Sequence, residues 1–466
     1  MSSVCQDCIA TNKIWSPCRT LLSNVAVSDG DMTPSPHGQV HPYLTRLDVR
    51  NFGPIRRGSL ELDADMTFVF GPQNSGKTYL ATLAYLLSRQ IQPMLGIGLT
   101  TALVEALQSE GLTGTISEEV IVDLATRKSS EIEGAFSRSP FLRGFVSSSL
   151  GPVYLVERLS DLIYQGQDRS EIDAEYSIGQ TRAFTLRITI TQSGVATTTV
   201  SFGQGFPANF LRAVHPQLSV MGPGGGWSSS QPGLTSGGTR YIPVERLVLL
   251  PVFYPYMNLI LSIYRGLAQP SGLAINIPYQ TPRFRQTVLD YVQEVNNALS
   301  AGPQASRDFE LLNVGQLQVR VPQLLFKDSK RKVVTQISSA GSGVAQFAGI
   351  VLVAERTPQA DSLFVEEPEL NLHADAQLRA ADYLAGLSHT SRVFVTTHSH
   401  YVATQLCLLF AKGKIRSLRG YYIDPDTDSV DPVLIDRRTG GFAVPKSIEK
   451  ALEAIGNLAL ELDNEP

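Results

Sequence analysis

The chain has 466 residues, 43% hydrophobic and 18% charged, a balance that suits a globular protein with a sizeable core and excludes a disordered or fibrous one. A formal net charge of −4 excludes a global basic field, so any contact with nucleic acid must rest on a local patch or a partner. The most apolar long stretch, 241–264, carries Glu245, Arg246, Pro251 and Pro255 and is no membrane span. No basic-then-apolar leader opens the chain, so a cytoplasmic location without membrane attachment is expected.

Residues 1–42 lack sustained periodicity and end in a Pro-, Gly-, His- and Ser-rich run, the pattern of a flexible N-terminal extension. Cys5, Cys8 and Cys18, with His37 or His41 behind them, leave two readings open: a zinc site or reduced thiols in a tail. Alternation over 44–50 and again over 58–62 predicts two antiparallel strands joined by the turn Asn51-Phe52-Gly53-Pro54. An apolar run, 66–70, then meets Gly71-Pro72-Gln73-Asn74-Ser75-Gly76-Lys77-Thr78, which fits G-x-x-x-x-G-K-[ST] between a strand and a helix. Gly71 and Gly76 permit the backbone turns that aim successive N–H groups at phosphate oxygens, and the helix start adds its positive dipole end. Lys77 then reaches the β- and γ-phosphates of a nucleotide, and the Thr78 hydroxyl holds Mg²⁺.

Helical spacing covers 79–89, and 91–145 is mostly helical with mixed charge. Runs at 184–190 and 196–202 alternate as a hairpin about Ser193-Gly194, and 219–239 is a Gly/Ser-rich loop. An amphipathic helix is predicted over 283–299, and a β-hairpin over 310–334 with the charged turn 327–332.

The C-terminal part supplies what a lone phosphate loop lacks. Ser362–Val365 reads as a buried strand ending in Glu366-Glu367-Pro368-Glu369, and carboxylates at such a strand end fall where open α/β sheets gather ligands. Glu366 would orient Mg²⁺ and its water, and Glu367 could act as general base toward the attacking water. A second apolar strand, Arg392–Thr397, ends at His398, which can touch the γ-phosphate or that water, with His400 as its neighbour. Upstream, Ser338 to Gln346 sets serines and glycines at a helix N-terminus, a second anion site. The phosphates are already claimed by Gly71–Thr78, so a second copy of the chain is expected to present it across an interface.

The motif order resembles the ABC-type ATPases of the SMC, RecF and OLD group, closest to the OLD-like AAA family ATPases of prokaryotes. The residues that carry it are the Asn51-Phe52 turn, Gly71–Thr78, the serine–glycine signature, Phe364 to His373 and Thr396-Thr397-His398-Ser399. The resemblance covers 44–90 and 336–440 and implies an α/β P-loop NTPase of ABC-ATPase head type, with a large helical and β insertion between Walker A and signature. It implies ATP and Mg²⁺ sandwiched between two heads of a homodimer or higher homo-oligomer. Lys77 and Thr78 of one copy would face Ser342 and Gly343 of the other, Asn371 and His373 would form the D-loop at the interface of the two copies, and His398 would be the switch histidine. The signature register stays open between Ala340–Val344 and Ser338-Ser339, and Glu245 or Arg246 stands where the family carries its Q-loop glutamine.

The expected organisation is an extension, 1–42; an N-terminal head lobe with Walker A, 43–90; an insertion, 91–335; a C-terminal head lobe, 336–440; and an acidic helix, 441–466. Too little chain follows His398 for a Toprim nuclease domain, so a controlled nuclease would be a separate polypeptide. The expected function is an ATPase whose head dimerisation regulates such an effector in genome maintenance or anti-phage defence. Alternatives are a RecF-like repair ATPase that binds duplex DNA and, behind it, the ATPase component of an ABC transporter.

Overall fold

A computed structural model describes residues 43–112, 117–139, 142, 144, 149–151, 153–178, 181–203, 238–246, 285–300, 308–320, 323–355 and 362–442, all within one compact unit. The expected zinc pattern, nearly all of the Gly/Ser loop and most of the acidic C-terminal helix lie outside these residues.

Two strands, β1 (Tyr43–Phe52) and β2 (Ile55–Glu61), form the antiparallel pair that the alternation predicts. All five residues of β3 (Met66–Phe70) are buried, as expected of a strand covered on both faces. Helix α1 begins at Lys77 and runs to Ser109, through residue 90, where the sequence divides the expected head lobe from the insertion. Helices α2 (Glu118–Arg127) and α3 (Ser129–Ser137) follow. Strands β4 (Arg169–Ile178), β5 (Thr181–Thr191) and β6 (Ala196–Phe202) then pair in antiparallel sequence onto β1, so part of the expected insertion extends the main sheet.

The second half adds β7 (Thr239–Ile242) and α4 (Gln286–Ser300). A separate four-stranded sheet follows: β8 (Asp308–Leu311), β9 (Gly315–Arg320), β10 (Gln323–Asp328) and β11 (Val334–Gln336), two strands more than the expected hairpin. Next come α5 (Ser342–Glu355), β12 (Ser362–Glu366), α6 (Ala374–Leu387), β13 (Arg392–Thr397) and α7 (His400–Ala411). Strands β14 (Leu418–Asp424) and β15 (Ser429–Pro432) close the described chain.

The main sheet has eleven strands in the order β6-β5-β4-β1-β2-β15-β14-β3-β13-β12-β7. Its run from β14 to β7 is wholly parallel, with β3 between β13 and β14. Side-chain alternation splits these strands between two cores. Val69, Phe364, Phe394 and Tyr421 join α1 on one face, whereas Phe68, Val365, Val395 and Tyr422 join α4 to α7 on the other. Full burial of each such side chain contributes about 2 kcal/mol, and covering both faces fixes the register of strands whose ends must meet. Cys407 lies in the second core, where burial pushes its thiol up to about 12 and leaves it unreactive. Among the described residues no helix is long and apolar enough to cross a membrane.

Candidate active site

The parallel register brings three strand ends into line. Glu366 at the end of β12 pairs with Thr396 of β13, and Thr397 pairs with Phe70 of β3. Gly71, Glu366 and His398 therefore leave the sheet at one edge, although nearly 300 residues of sequence separate the first from the second.

At the first of these ends, Gly71–Gly76 folds back over the start of α1. Asn74 and Gly76 adopt left-handed backbone, φ 58° and 99°. A Cβ on Gly76 would lie 2.8 Å from Pro54 and 2.9 Å from Ile55, so the β1–β2 turn seats on the loop only because a glycine is there. No side chain caps the start of α1, which leaves its first N–H groups for an anion. Pro72 and Ser75 are partly exposed, Gln73 and Asn74 exposed, and Thr78 is partly exposed one residue into the helix.

Lys77 turns back under the loop. Its Nζ donates to the carbonyls of Pro72 at 2.6 Å and Gly71 at 3.0 Å, and lies 3.3 Å from Nδ1 of His398. Burial lowers the amine to about 8 against the pull of Glu367, Glu369 and Glu366. An ammonium can only donate, so His398 accepts at Nδ1 and carries its proton on Nε2, which donates to Glu367 Oε1 at 3.1 Å. That hydrogen bond holds the Glu367 carboxyl below the usual carboxylate range. Lys77, His398 and Glu367 thus form one continuous polar chain.

The remaining acids hold this chain in place. Glu369, which the sequence leaves without a role, accepts the backbone N–H of His398 at 2.7 Å, and burial raises its carboxyl. Glu367 sits at φ 42°, a left-handed backbone costing about 1–3 kcal/mol for a residue with a Cβ. Glu366 is 1% exposed; its Oε2 accepts from Val244 N at 3.1 Å and Arg285 at 3.2 Å, while its Oε1 has no partner. Arg285, just before α4, also holds Glu245 through two nitrogens. Nothing in the sequence links Arg285 to this site, because the contact exists only through the fold. Glu245 is engaged by that pair, and Arg246 is 0% exposed and bonded to carbonyls, so both stand-ins for a Q-loop glutamine have partners within the chain. His400 packs edge-on against Phe70.

Ser342, Gly343, Asn371 and His373, which the resemblance implies, form a second group. Ser342 is exposed at the start of α5, and Asn371 and His373 are exposed in the turn before α6. A Cβ on Gly343 would lie 2.5 Å from the Asn371 carbonyl, so the serine–glycine helix start and the 371–373 turn press together. Among the described residues no backbone hydrogen bond joins this patch to Gly71–Thr78 of the same chain.

The residues fit a nucleotide–magnesium pair. Thr78 offers a hydroxyl at the loop, and the orphaned Glu366 Oε1 offers a hard oxygen within electrostatic reach of Lys77. Among the described residues no group of three or more His, Cys, Asp or Glu could cage a metal alone, so such an ion would lean on water and phosphate, as Mg²⁺ does.

Residues 281–403 match the family model of an AAA ATPase domain, a span from before α4 into α7 that holds the acidic strand end and His398. No curated protein matches the chain. Among solved structures the chain is similar to the SMC head domain of Thermotoga maritima, at 11% identity, covering 84% of this chain and 100% of that one with a TM-score of 0.35. It is also similar to an Smc head from Pyrococcus furiosus bound to the C-terminal domain of ScpA, at 12% identity with 89% and 99% covered and a TM-score of 0.38. The recombination mediator protein RecF matches at 10% identity, with 85% and 99% covered and a TM-score of 0.36. Over 281–403 the chain is thus similar to an AAA ATPase domain, and the described fold is α/β, with a glycine loop between β3 and α1.

Proposed function

We propose that this protein binds and hydrolyses ATP with Mg²⁺, and that nucleotide-driven pairing of two copies regulates a partner effector. The observation that carries the reading is the unbroken chain Lys77–His398–Glu367 at the edge where the glycine loop opens. In this reading the loop N–H groups and α1 bind the phosphates, and Lys77 leaves the Pro72 carbonyl for the phosphate tail. Mg²⁺, held by Thr78 and through water by Glu366, would supply charge neutralisation on the phosphate oxygens. Glu367 takes a proton from the attacking water, and His398 keeps the carboxylate ionised and aimed.

Ser342, Gly343, Asn371 and His373 lie together in one patch, and the second copy would use them to close its neighbour's site. The effector is inferred to be a nuclease in genome maintenance or anti-phage defence, and the location cytoplasmic. Direct DNA binding is the weaker alternative. Several arginines of the antiparallel lobe already pair with acids, among them Arg46 with Asp48, Arg182 with Glu175 and Arg187 with Asp173. Phosphate release from ATP with and without Mg²⁺ tests the core of the reading. Wild type should turn over only with the metal, and Lys77→Ala should bind and hydrolyse nothing; equal turnover by the two would overturn it. A gel shift with duplex DNA that weakens steeply with salt would favour the alternative.

A further inference from the structure

Arg246 lies four residues beyond the end of β7 and is wholly buried. Its Nη1 donates to the carbonyls of Pro243 at 2.9 Å and Glu366 at 2.6 Å, and its Nη2 to the carbonyl of Glu367 at 2.6 Å. One planar guanidinium therefore ties the segment after β7 to two consecutive carbonyls where β12 ends. In extended chain, consecutive carbonyls point to opposite sides, so a single flat group cannot take both. Taking both requires the chain to turn between them, and it does so at Glu367, with φ 42°. Pro368 removes the commoner escape, because a residue before proline is disfavoured in right-handed helical backbone. The choice at Glu367 narrows to extended or left-handed, and the arginine selects the second.

We propose that Arg246 is a positioning residue: it fixes the left-handed turn at Glu367 from which that carboxylate meets His398, and so ties the aim of the general base to the segment after β7. This rests on the reading of Glu367 as the base. The guanidinium itself touches no reacting atom. Its geometry explains why a strained backbone persists at a non-glycine position. The other bonds at this corner, Glu367 N to the Thr396 carbonyl at 2.9 Å and Leu370 N to the Glu367 carbonyl at 3.2 Å, continue the ladder and close the Pro368 turn. Neither reaches both carbonyls at once.

The test uses the full chain with Arg246→Lys, which keeps the charge but cannot span three carbonyls, and Arg246→Gln as a second variant. Folding is checked by circular dichroism, ATP affinity by fluorescent nucleotide titration, and turnover by phosphate release. ATP affinity is expected to stay as in wild type while kcat falls on the order of a hundredfold, the lower end of what a general base contributes. A merely structural defect would weaken nucleotide binding along with turnover, whereas a lost aim at Glu367 lowers kcat alone. Wild-type kcat in a folded variant, or ATP affinity lost in step with kcat, would overturn the inference. Should neither variant fold, a crystal structure of the wild-type chain decides: Glu367 in extended backbone beside an intact Arg246 refutes it, and the left-handed turn with both bonds supports it. Failure of the underlying reading looks different, because Glu367→Gln would then turn over ATP as wild type does.

Discussion

Two clusters at the edges of this molecule contrast in how finished they are. Around Lys77, Glu367 and His398 every group has a partner within the chain, and the backbone beneath is pinned by Glu369 and Arg246. Around Ser342, Asn371 and His373 the side chains face solvent, although the backbones below are packed so closely that Gly343 admits no Cβ. The first cluster is satisfied within the chain, whereas the second presents exposed side chains on closely packed backbone. Dependence on a second copy is therefore expected at the second cluster: preorganisation costs strain and burial, and the chain accepts that cost on one side only.

Among changes that keep nucleotide binding, the largest effect should come from Glu367→Gln, which keeps the shape of the first cluster and removes its proposed base. Turnover is expected to fall by about 10²–10⁴ while ATP binding persists, with a paired form accumulating in light scattering. Normal turnover would erase the contrast by removing Glu367 from the chemistry. Ser342→Arg probes the second cluster. Being exposed, the site should tolerate the change within about 0.5 kcal/mol of stability, whereas turnover should fall about tenfold through weakened closure, with nucleotide binding by the single chain kept. Unchanged turnover across protein concentrations would make that patch ordinary surface.

The smallest effect follows from the Lys77 amine at about 8. Below that pH the amine already carries its charge and binds phosphate without taking up a proton. Above it, binding must recharge the amine, so affinity for ATP should fall toward about tenfold per pH unit, with proton uptake visible by calorimetry in buffers of different ionisation heat. Lys77→Arg should flatten that limb, and a flat limb in wild type would show that the buried amine stays charged.

Much of this was legible in the linear chain because its signals are local. Gly71 to Thr78 announces its own backbone shape, the apolar runs at 66–70, 362–365 and 392–397 announce buried strands, and the expected turn forms at Gly53-Pro54, with Asn51 and Phe52 still in β1. Local spacing could not tell that α1 would run unbroken past residue 90, or that β4 to β6 would join the main sheet, because sheet membership depends on which edge is available. The roles of Arg246, Arg285 and Glu369 were equally hidden.

The order of residues settles the chemistry on offer: a glycine loop with a lysine, two acids before a proline, and a histidine after an apolar strand. Folding is what brings these to one edge, through the parallel register of β12, β13 and β3, and what turns Glu367 left-handed under a buried arginine. Residue type and near-neighbour spacing set which bonds a segment can make. A bond between positions 246 and 367, however, exists only once burial of both sheet faces has fixed where each strand ends.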